Sequence, residues 1–96
     1  MEFKDVEEFR GLITELALPR HADVLFGIRC AVCGKSDRIS LLESPEELDG
    51  KLAKYDRYKE LWSMCKIQND ELAVCKFCGY VLSIDWSEKS ASVVTG

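Results

Sequence analysis

Residues 74–86 read VCKFCGYVLSIDW, and residues 29–42 read RCAVCGKSDRISLL. In both stretches two cysteines stand two residues apart, a glycine follows the second cysteine at once, and a run typical of a β-strand comes next. The chain has five cysteines, and four of them fall in these two motifs: Cys30, Cys33, Cys75 and Cys78. The repetition of one plan within 96 residues indicates that the two motifs act together.

The two motifs predict one tetrahedral metal site. Structural zinc sites take four ligands, with thiolate sulfurs about 2.3 Å from the ion, and a CxxC turn supplies two of them while its backbone N–H groups point at the sulfurs. Gly34 and Gly79 stand where the turn needs a positive φ, which glycine adopts at least cost. Paired CxxC spacing in a reducing compartment indicates metal binding rather than disulfides. We therefore expect the four cysteines to bind one Zn²⁺ ion per chain.

The sequences CAVCG and CKFCG, each with strand-like flanks, resemble the two zinc knuckles of the zinc-ribbon class, which rubredoxins share. The resemblance covers residues 30–42 and 72–86 and implies two antiparallel hairpins closed on a metal ion. Zinc ribbons occur in transcription factors, ribosomal proteins, polymerase subunits and enzymes. The chain departs from a compact ribbon because 41 residues separate Cys33 from Cys75. Neither motif has the proline that rubredoxin knuckles usually carry near the second pair of cysteines.

An amphipathic helix is predicted over residues 6–18. Asp5 is its expected N-cap, Glu8 completes a capping-box pattern, and Pro19 ends it. Apolar residues at helical spacing form one face: Val6, Phe9, Ile13 and Leu16.

A second helix is predicted over residues 45–67. Ser44 is its expected N-cap, Pro45 suits the first helical position, and Glu47 completes a capping box. Gly50 is a weak point near its start. The expected apolar face comprises Leu48, Leu52, Tyr55, Tyr58, Trp62 and Cys65.

Two strand pairs complete the predicted fold: residues 22–30 with 38–42, and residues 71–75 with 79–86. The fold class is therefore α+β, a zinc ribbon of two antiparallel β-hairpins with an inserted long helix and an N-terminal helix. Residues 1–86 are expected to form a single domain. The small, polar residues 87–96 are expected to form a flexible tail.

Composition limits the partners. The net charge is −4, from 13 Lys and Arg against 17 Asp and Glu, which disfavours nucleic acid as the main partner because cations carry most of that binding. No run reaches the roughly 18 apolar residues of a membrane span, and the acidic start lacks the apolar core of a signal peptide. We expect a cytoplasmic protein with no membrane association.

The remaining notable side chains have structural interpretations. Cys65 lies on the apolar helix face and is expected to be a buried thiol. His21, the only histidine, is expected to be an ordinary connector residue. Three aromatic residues at helical spacing are expected in the core or an interface, rather than as a base-stacking platform: Tyr55, Tyr58 and Trp62.

The basic residues fall into two groups. Those interleaved with acids on the second helix predict a solvated surface: Lys51, Lys54, Arg57, Lys59 and Lys66. Those around the first motif form the one local basic excess and are candidate binding residues, able to contact phosphate: Arg29, Lys35 and Arg38.

Three classes of function remain open. The first is a structural-zinc protein that acts as a protein-protein interaction or adaptor module, with no enzyme activity, because the chain shows no nucleophile motif and four thiolates fill the metal shell. The second is a nucleic-acid-associated zinc ribbon of the transcription type. The third is a rubredoxin-like iron electron carrier. The face of helix 6–18 either docks on a partner, or a second copy in a homodimer, or packs on its own chain.

Overall fold

The computed structural model describes residues 3–20, 23–66 and 70–94. They form an α+β fold with two α-helices and a four-stranded antiparallel sheet of order β1-β2-β3-β4. The elements in chain order are α1 (Phe3–Glu15), β1 (Ile39–Leu41), a 3-10 helix (Pro45–Glu47), α2 (Tyr55–Cys65), β2 (Glu71–Cys75), β3 (Val81–Asp85) and β4 (Ser90–Val93). The predicted fold class is confirmed at this level. His21 and residue 67 lie outside the described residues.

One sheet replaces the two separate hairpins that the sequence predicts. The second predicted pair is found as β2 and β3. In the first pair, described residues 23–30 form no continuous strand, because a turn with Gly27 at φ 79 interrupts them. They contribute only two isolated bridges, Leu25 to Ile39 and Arg29 to Ser36. β1 pairs instead with β2, so that Ile39 lies opposite Cys75.

Helix α1 begins and ends three residues earlier than predicted. Asp5 lies within its first turn, so the N-cap assignment to Asp5 is wrong. Ala17 adopts a left-handed conformation, with φ 56. The N–H of Leu18 donates to the Ile13 carbonyl (2.9 Å) and that of Ala17 to the Thr14 carbonyl (3.1 Å). This is the Schellman pattern that ends a helix, and it stops α1 before Pro19.

The single helix predicted over residues 45–67 is wrong. The chain forms a 3-10 turn, then an irregular stretch that ends at Lys54 with φ 63, and only then α2. Ser44 precedes the 3-10 turn without a side-chain cap. The Tyr55 hydroxyl donates to the Pro45 carbonyl (2.9 Å), and the Tyr58 hydroxyl donates to the Glu43 carbonyl (2.7 Å). These bonds fold the start of α2 back onto residues 43–45, which one continuous helix would hold apart.

Both faces of the sheet are buried. One face packs against the helices, where Phe9 of α1 and Tyr58 of α2 are fully buried with ring centroids 5.4 Å apart. The other face carries a smaller cluster that includes Ile39, Leu82 and Ile84. The two faces follow from the alternation of side chains along a strand. The apolar face of α1 is therefore core, as one of the sequence interpretations held.

Ion pairs join the outer surfaces of the helices. Arg57 donates to both carboxylate oxygens of Glu8, from Nε at 2.7 Å and from a terminal nitrogen at 2.6 Å. These bonds hold the pKa of Glu8 below its usual value. Lys54 donates to Glu15 at 2.9 Å. Arg57 and Lys54 thus face carboxylates on α1, as the interpretation of a solvated, charge-balanced surface predicts.

The interpretation of residues 87–96 as a flexible tail is wrong for Ser90–Val93. These residues form β4 and pair with β3, Leu82 opposite Val93 and Asp85 opposite Ser90. The turn before them is closed by Asp85, whose Oδ1 accepts from the Ser87 hydroxyl (2.6 Å) and from the Ser87 N–H (3.0 Å). These bonds lower the pKa of Asp85, the hydroxyl most of all.

Candidate metal centre

The four paired cysteines come from two turns that the sheet brings together. The second turn joins β2 to β3: Cys75 is the last residue of β2, and Cys78 lies in the turn itself. The first turn precedes β1. The pairing of β1 with β2, extended by a bond from the Lys76 N–H to the Arg38 carbonyl (2.7 Å), holds the two turns side by side.

The two turns have the same backbone hydrogen bonds. In the first, Cys30 N–H donates to the Lys35 carbonyl and Gly34 N–H to the Cys30 carbonyl, both at 3.0 Å. In the second, the Cys75 and Gly79 N–H groups make the equivalent bonds, at 3.1 and 2.8 Å. Gly34 and Gly79 have φ of 76 and 78. The prediction of a positive φ at both glycines is confirmed, and a side chain there would be strained even where space is open.

The sulfur atoms form one compact group. Cys30 Sγ lies 3.7 Å from Cys78 Sγ, and Cys33 Sγ lies 3.7 Å from Cys75 Sγ. All four sulfurs are within 4.8 Å of one another. A disulfide would need a separation of about 2.05 Å, so these thiols are not paired covalently. The grouping that the sequence predicts is therefore found, and it is arranged to bind one metal ion.

The pKa values of the thiols indicate repulsion between neighbouring thiolates, which a cation among them would offset. Burial alone would raise the pKa of Cys30, but the backbone N–H groups of Cys33 and Val32 and the neighbouring thiols stabilise its thiolate and lower that pKa to about 7. Burial raises the pKa of Cys78 to about 12, helped by Cys75 and Cys30. A thiolate at one cysteine thus disfavours ionisation of the neighbouring thiol. A cation bound by the four sulfurs would relieve this repulsion, and its binding would release the remaining protons.

An arginine that sequence reasoning missed supports the second turn. Arg10 of α1 donates from Nε to the Gly79 carbonyl (3.1 Å), and its guanidinium lies 4.2 Å from the centre of the Tyr80 ring. Glu7 accepts from the same guanidinium at 2.9 Å. Sequence spacing gave no signal for this contact, because 69 residues separate Arg10 from Gly79.

The candidate binding residues lie beside the first turn. Arg29, Lys35 and Arg38 are all exposed. Lys35 Nζ lies 4.6 Å from the centre of the Phe77 ring in the second turn, a cation-π contact that spans the two turns.

The predicted structural residues of α2 lie in the helix-side cluster. Cys65 is buried there, across the sheet from the four thiols, and burial raises its pKa to about 11. Tyr58 is fully buried, and Trp62 packs against the same cluster. The prediction of a core position is confirmed for Tyr58 and, at the edge of the cluster, for the half-buried Trp62, whereas the half-buried Tyr55 lies outside the cluster.

Comparison of the chain with protein-family models, with curated proteins and with solved structures finds no match. Among the described residues, neither α-helix is both long and apolar enough to cross a bilayer. The chain is therefore characterised by its four-cysteine site, which indicates a metal-binding structural module.

Proposed function

We propose that the chain is a zinc ribbon in which Cys30, Cys33, Cys75 and Cys78 hold one structural Zn²⁺ ion. The observation that carries this proposal is the sulfur geometry. A tetrahedron with arms of 2.3 Å has edges of about 3.8 Å, and two of the sulfur pairs stand 3.7 Å apart. Four thiolates complete the coordination shell and leave no position for a substrate or a reactive water.

The ion would supply a cross-link that the backbone provides only weakly. Residues 23–38 are joined to the sheet by one isolated bridge, Leu25 to Ile39, by the bond from the Lys76 N–H to the Arg38 carbonyl, and by the short strand that follows them. Cys30 and Cys33 sit in this segment, whereas Cys75 and Cys78 sit at the central β2–β3 connection. Binding all four thiolates would fix the loosely held segment to the centre of the sheet. This supports a structural role in folding rather than a catalytic one.

Metal content tests the assignment. The purified chain should hold one zinc ion, measured by plasma mass spectrometry against protein concentration. Serine at any one of the four positions should lower the ratio to well below one. Cys65→Ser is the matched control, because it removes a buried thiol on the other side of the sheet, and it should keep the full ratio. Loss of zinc from Cys65→Ser with retention in Cys30→Ser would refute the ligand set.

The same preparation separates zinc from the iron alternative. Iron bound to four thiolates gives a coloured protein that can be reduced and reoxidised, whereas zinc has no redox chemistry. We expect a colourless protein with no reduction wave in voltammetry. A red preparation with one iron per chain would refute this proposal and support the alternative of an iron electron carrier.

We further propose that the module acts in protein-protein interaction, as a cytoplasmic adaptor and not as an enzyme. The closed coordination shell and the excess of acidic residues support this role. The apolar face of α1 is occupied by its own core, so a partner has to bind elsewhere.

Size-exclusion chromatography with light scattering should detect a monomer. Pull-down from the native host should recover a protein with the zinc-loaded chain but not with the chelated one. Equal recovery by both would refute the role of zinc in binding.

A further inference from the structure

We propose that the surface over the two cysteine turns binds an acidic protein segment that carries apolar side chains. This surface, the knuckle face, is defined by three apolar and four basic residues: Phe26, Val32, Phe77, Arg29, Lys35, Arg38 and Lys76. The inference rests on the proposed adaptor function and names the chemistry of its partner.

The apolar part of the knuckle face is exposed without serving the core. Phe26 is 80% exposed, Phe77 61% and Val32 43%. Val32 and Phe77 occupy the same position, the second residue between the cysteines of each turn. Both turns therefore present an apolar side chain to solvent at the equivalent place. Large apolar side chains grouped on a surface mark an interaction site more often than scattered ones do.

Contacts link the chain segments that carry these residues. The Lys35 ammonium rests on the Phe77 ring at 4.6 Å, which joins the first turn to the second. The Gly27 N–H donates to Asp37 Oδ1 (3.3 Å), which ties the Phe26 turn to the segment that follows the first motif. The sulfur contacts beneath, at 3.7 Å, hold the two turns together. Lys35 and Phe77 thus join the two turns, and the turn that carries Phe26 is bonded to the segment that follows the first one.

The charge of the knuckle face is opposite to that of the whole chain. Residues 26–38 and 75–80 contain four of the 13 Lys and Arg but only one of the 17 Asp and Glu, Asp37. On the helices, by comparison, Arg57 pairs with Glu8 and Lys54 with Glu15. Here Arg29, Lys35 and Arg38 are exposed around the apolar residues. An apolar centre with a basic rim complements an acidic segment with apolar anchors.

A protein segment suits this surface better than a nucleic acid. Four thiolates and one Zn²⁺ would place a net charge of −2 under the face, which offsets part of its four cations. A nucleic acid carries a phosphate at each nucleotide and draws most of its affinity from many cations at once. An acidic protein segment needs only a few charge contacts around buried anchors. Val32, an aliphatic residue, also suits an apolar side chain better than the face of a base.

Peptide display on the zinc-loaded chain tests the proposal. Twelve-residue random peptides are selected on the immobilised protein, and the affinity of those recovered is measured by fluorescence anisotropy. We expect peptides enriched in Asp and Glu together with Phe, Trp, Leu or Ile. The double variant Lys35→Glu, Phe77→Ser should weaken their binding at least about tenfold, since it removes one anchor and reverses one charge. Zinc content, measured for each variant, should stay at one per chain, because neither residue is a ligand.

The matched control is Lys89→Glu, Trp86→Ser. Trp86 is 44% exposed, and both residues lie in the β3–β4 turn, at the opposite end of β3 from the second cysteine turn. A strand of five residues spans about 17 Å, so this pair makes the same chemical change away from the knuckle face. We expect the control to bind the selected peptides with unchanged affinity.

Several outcomes would overturn the knuckle face as the site. These are failure to select any peptide, selection of peptides without acidic residues, and equal weakening by the control pair. Tighter binding of a labelled single-stranded oligothymidylate than of the best peptide, with steep salt dependence, would also overturn it in favour of a nucleic acid. Failure of the proposed zinc function is read separately, from a zinc ratio near zero in the unmodified chain.

Discussion

Replacing Phe9 by alanine tests whether α1 belongs to the core of the domain. The Phe9 side chain is fully buried, and its ring centre lies 5.4 Å from that of Tyr58, which is also fully buried and lies 6.1 Å from Trp62. The substitution would leave a cavity between the two helices. Burial of a phenylalanine in such a site makes its loss to alanine cost about 3–5 kcal/mol. That is a large part of the roughly 5–15 kcal/mol by which native domains are stable.

Urea denaturation and thermal unfolding of the zinc-loaded protein, both followed by circular dichroism, measure this cost. In a domain of this size, each kcal/mol lowers the melting temperature by about 4–8 °C, so Phe9→Ala should melt more than about ten degrees below the parent. Both proteins should be measured at the same free zinc concentration, because bound metal adds to the apparent stability.

The control is the same substitution at Phe26, which is 80% exposed. Surface changes of this kind alter the free energy of unfolding by about 0.5 kcal/mol or less. A loss of less than about 1 kcal/mol in Phe9→Ala, well below the cost of a core cavity, would refute the packing of α1. It would also restore the alternative in which the apolar face of α1 binds a partner.

Four further predictions concern other parts of the molecule. A chain that starts at Arg20 should aggregate or fail to retain zinc, because it exposes the sheet face that α1 covers; a soluble, zinc-loaded product would contradict this. Arg10→Met should keep zinc but transfer it to a colorimetric chelator several-fold faster than the parent, since the bond to Gly79 is lost; an unchanged rate would show that this bond does not support the site. Cys65 should resist iodoacetamide at pH 8 in the zinc-loaded protein, because burial raises its pKa to about 11, and peptide mass spectrometry would detect early alkylation if this is wrong. Burial also raises the pKa of Tyr58, with a contribution from Glu43. The stability that the neutral Tyr58 hydroxyl contributes is therefore present below about pH 10 and falls as the pH rises further. Tyr58→Phe should remove the last step of an alkaline absorbance titration at 295 nm.

The grouping of the four thiols was open to prediction from sequence because its geometry is local. A CxxCG turn closes on itself, and the bonds of Gly34 and Gly79 to the first cysteine of each motif span only four residues. The strands β2 and β3 flank one such turn, so their pairing follows from its closure. The spacing of its apolar residues likewise predicted the presence of α1. Two turns of one design within a single small chain indicated a shared site before any distance was known.

The tertiary structure decided where the helices stop and what covers the sheet. Residues 45–67 have the pattern of one helix, but the hydroxyl groups of Tyr55 and Tyr58 bond to Pro45 and Glu43 and fold the segment back. Three of the four residues of β4 are Ser or Ala, which have little strand preference of their own, and they form a strand because β3 offers its edge.

The same distinction applies to the apolar face of α1 and to the knuckle face. An amphipathic helix shows that one face is apolar, but the sequence does not say whether its own chain or another one covers it. The packing of Phe9 on Tyr58, 49 residues away along the chain, answers that question for α1. Conversely, Val32 and Phe77 resemble core residues in the sequence and are exposed in the fold. Local patterns fix turns and periodicity, whereas burial depends on contacts between residues far apart in sequence, and these the chain reveals only when it is folded.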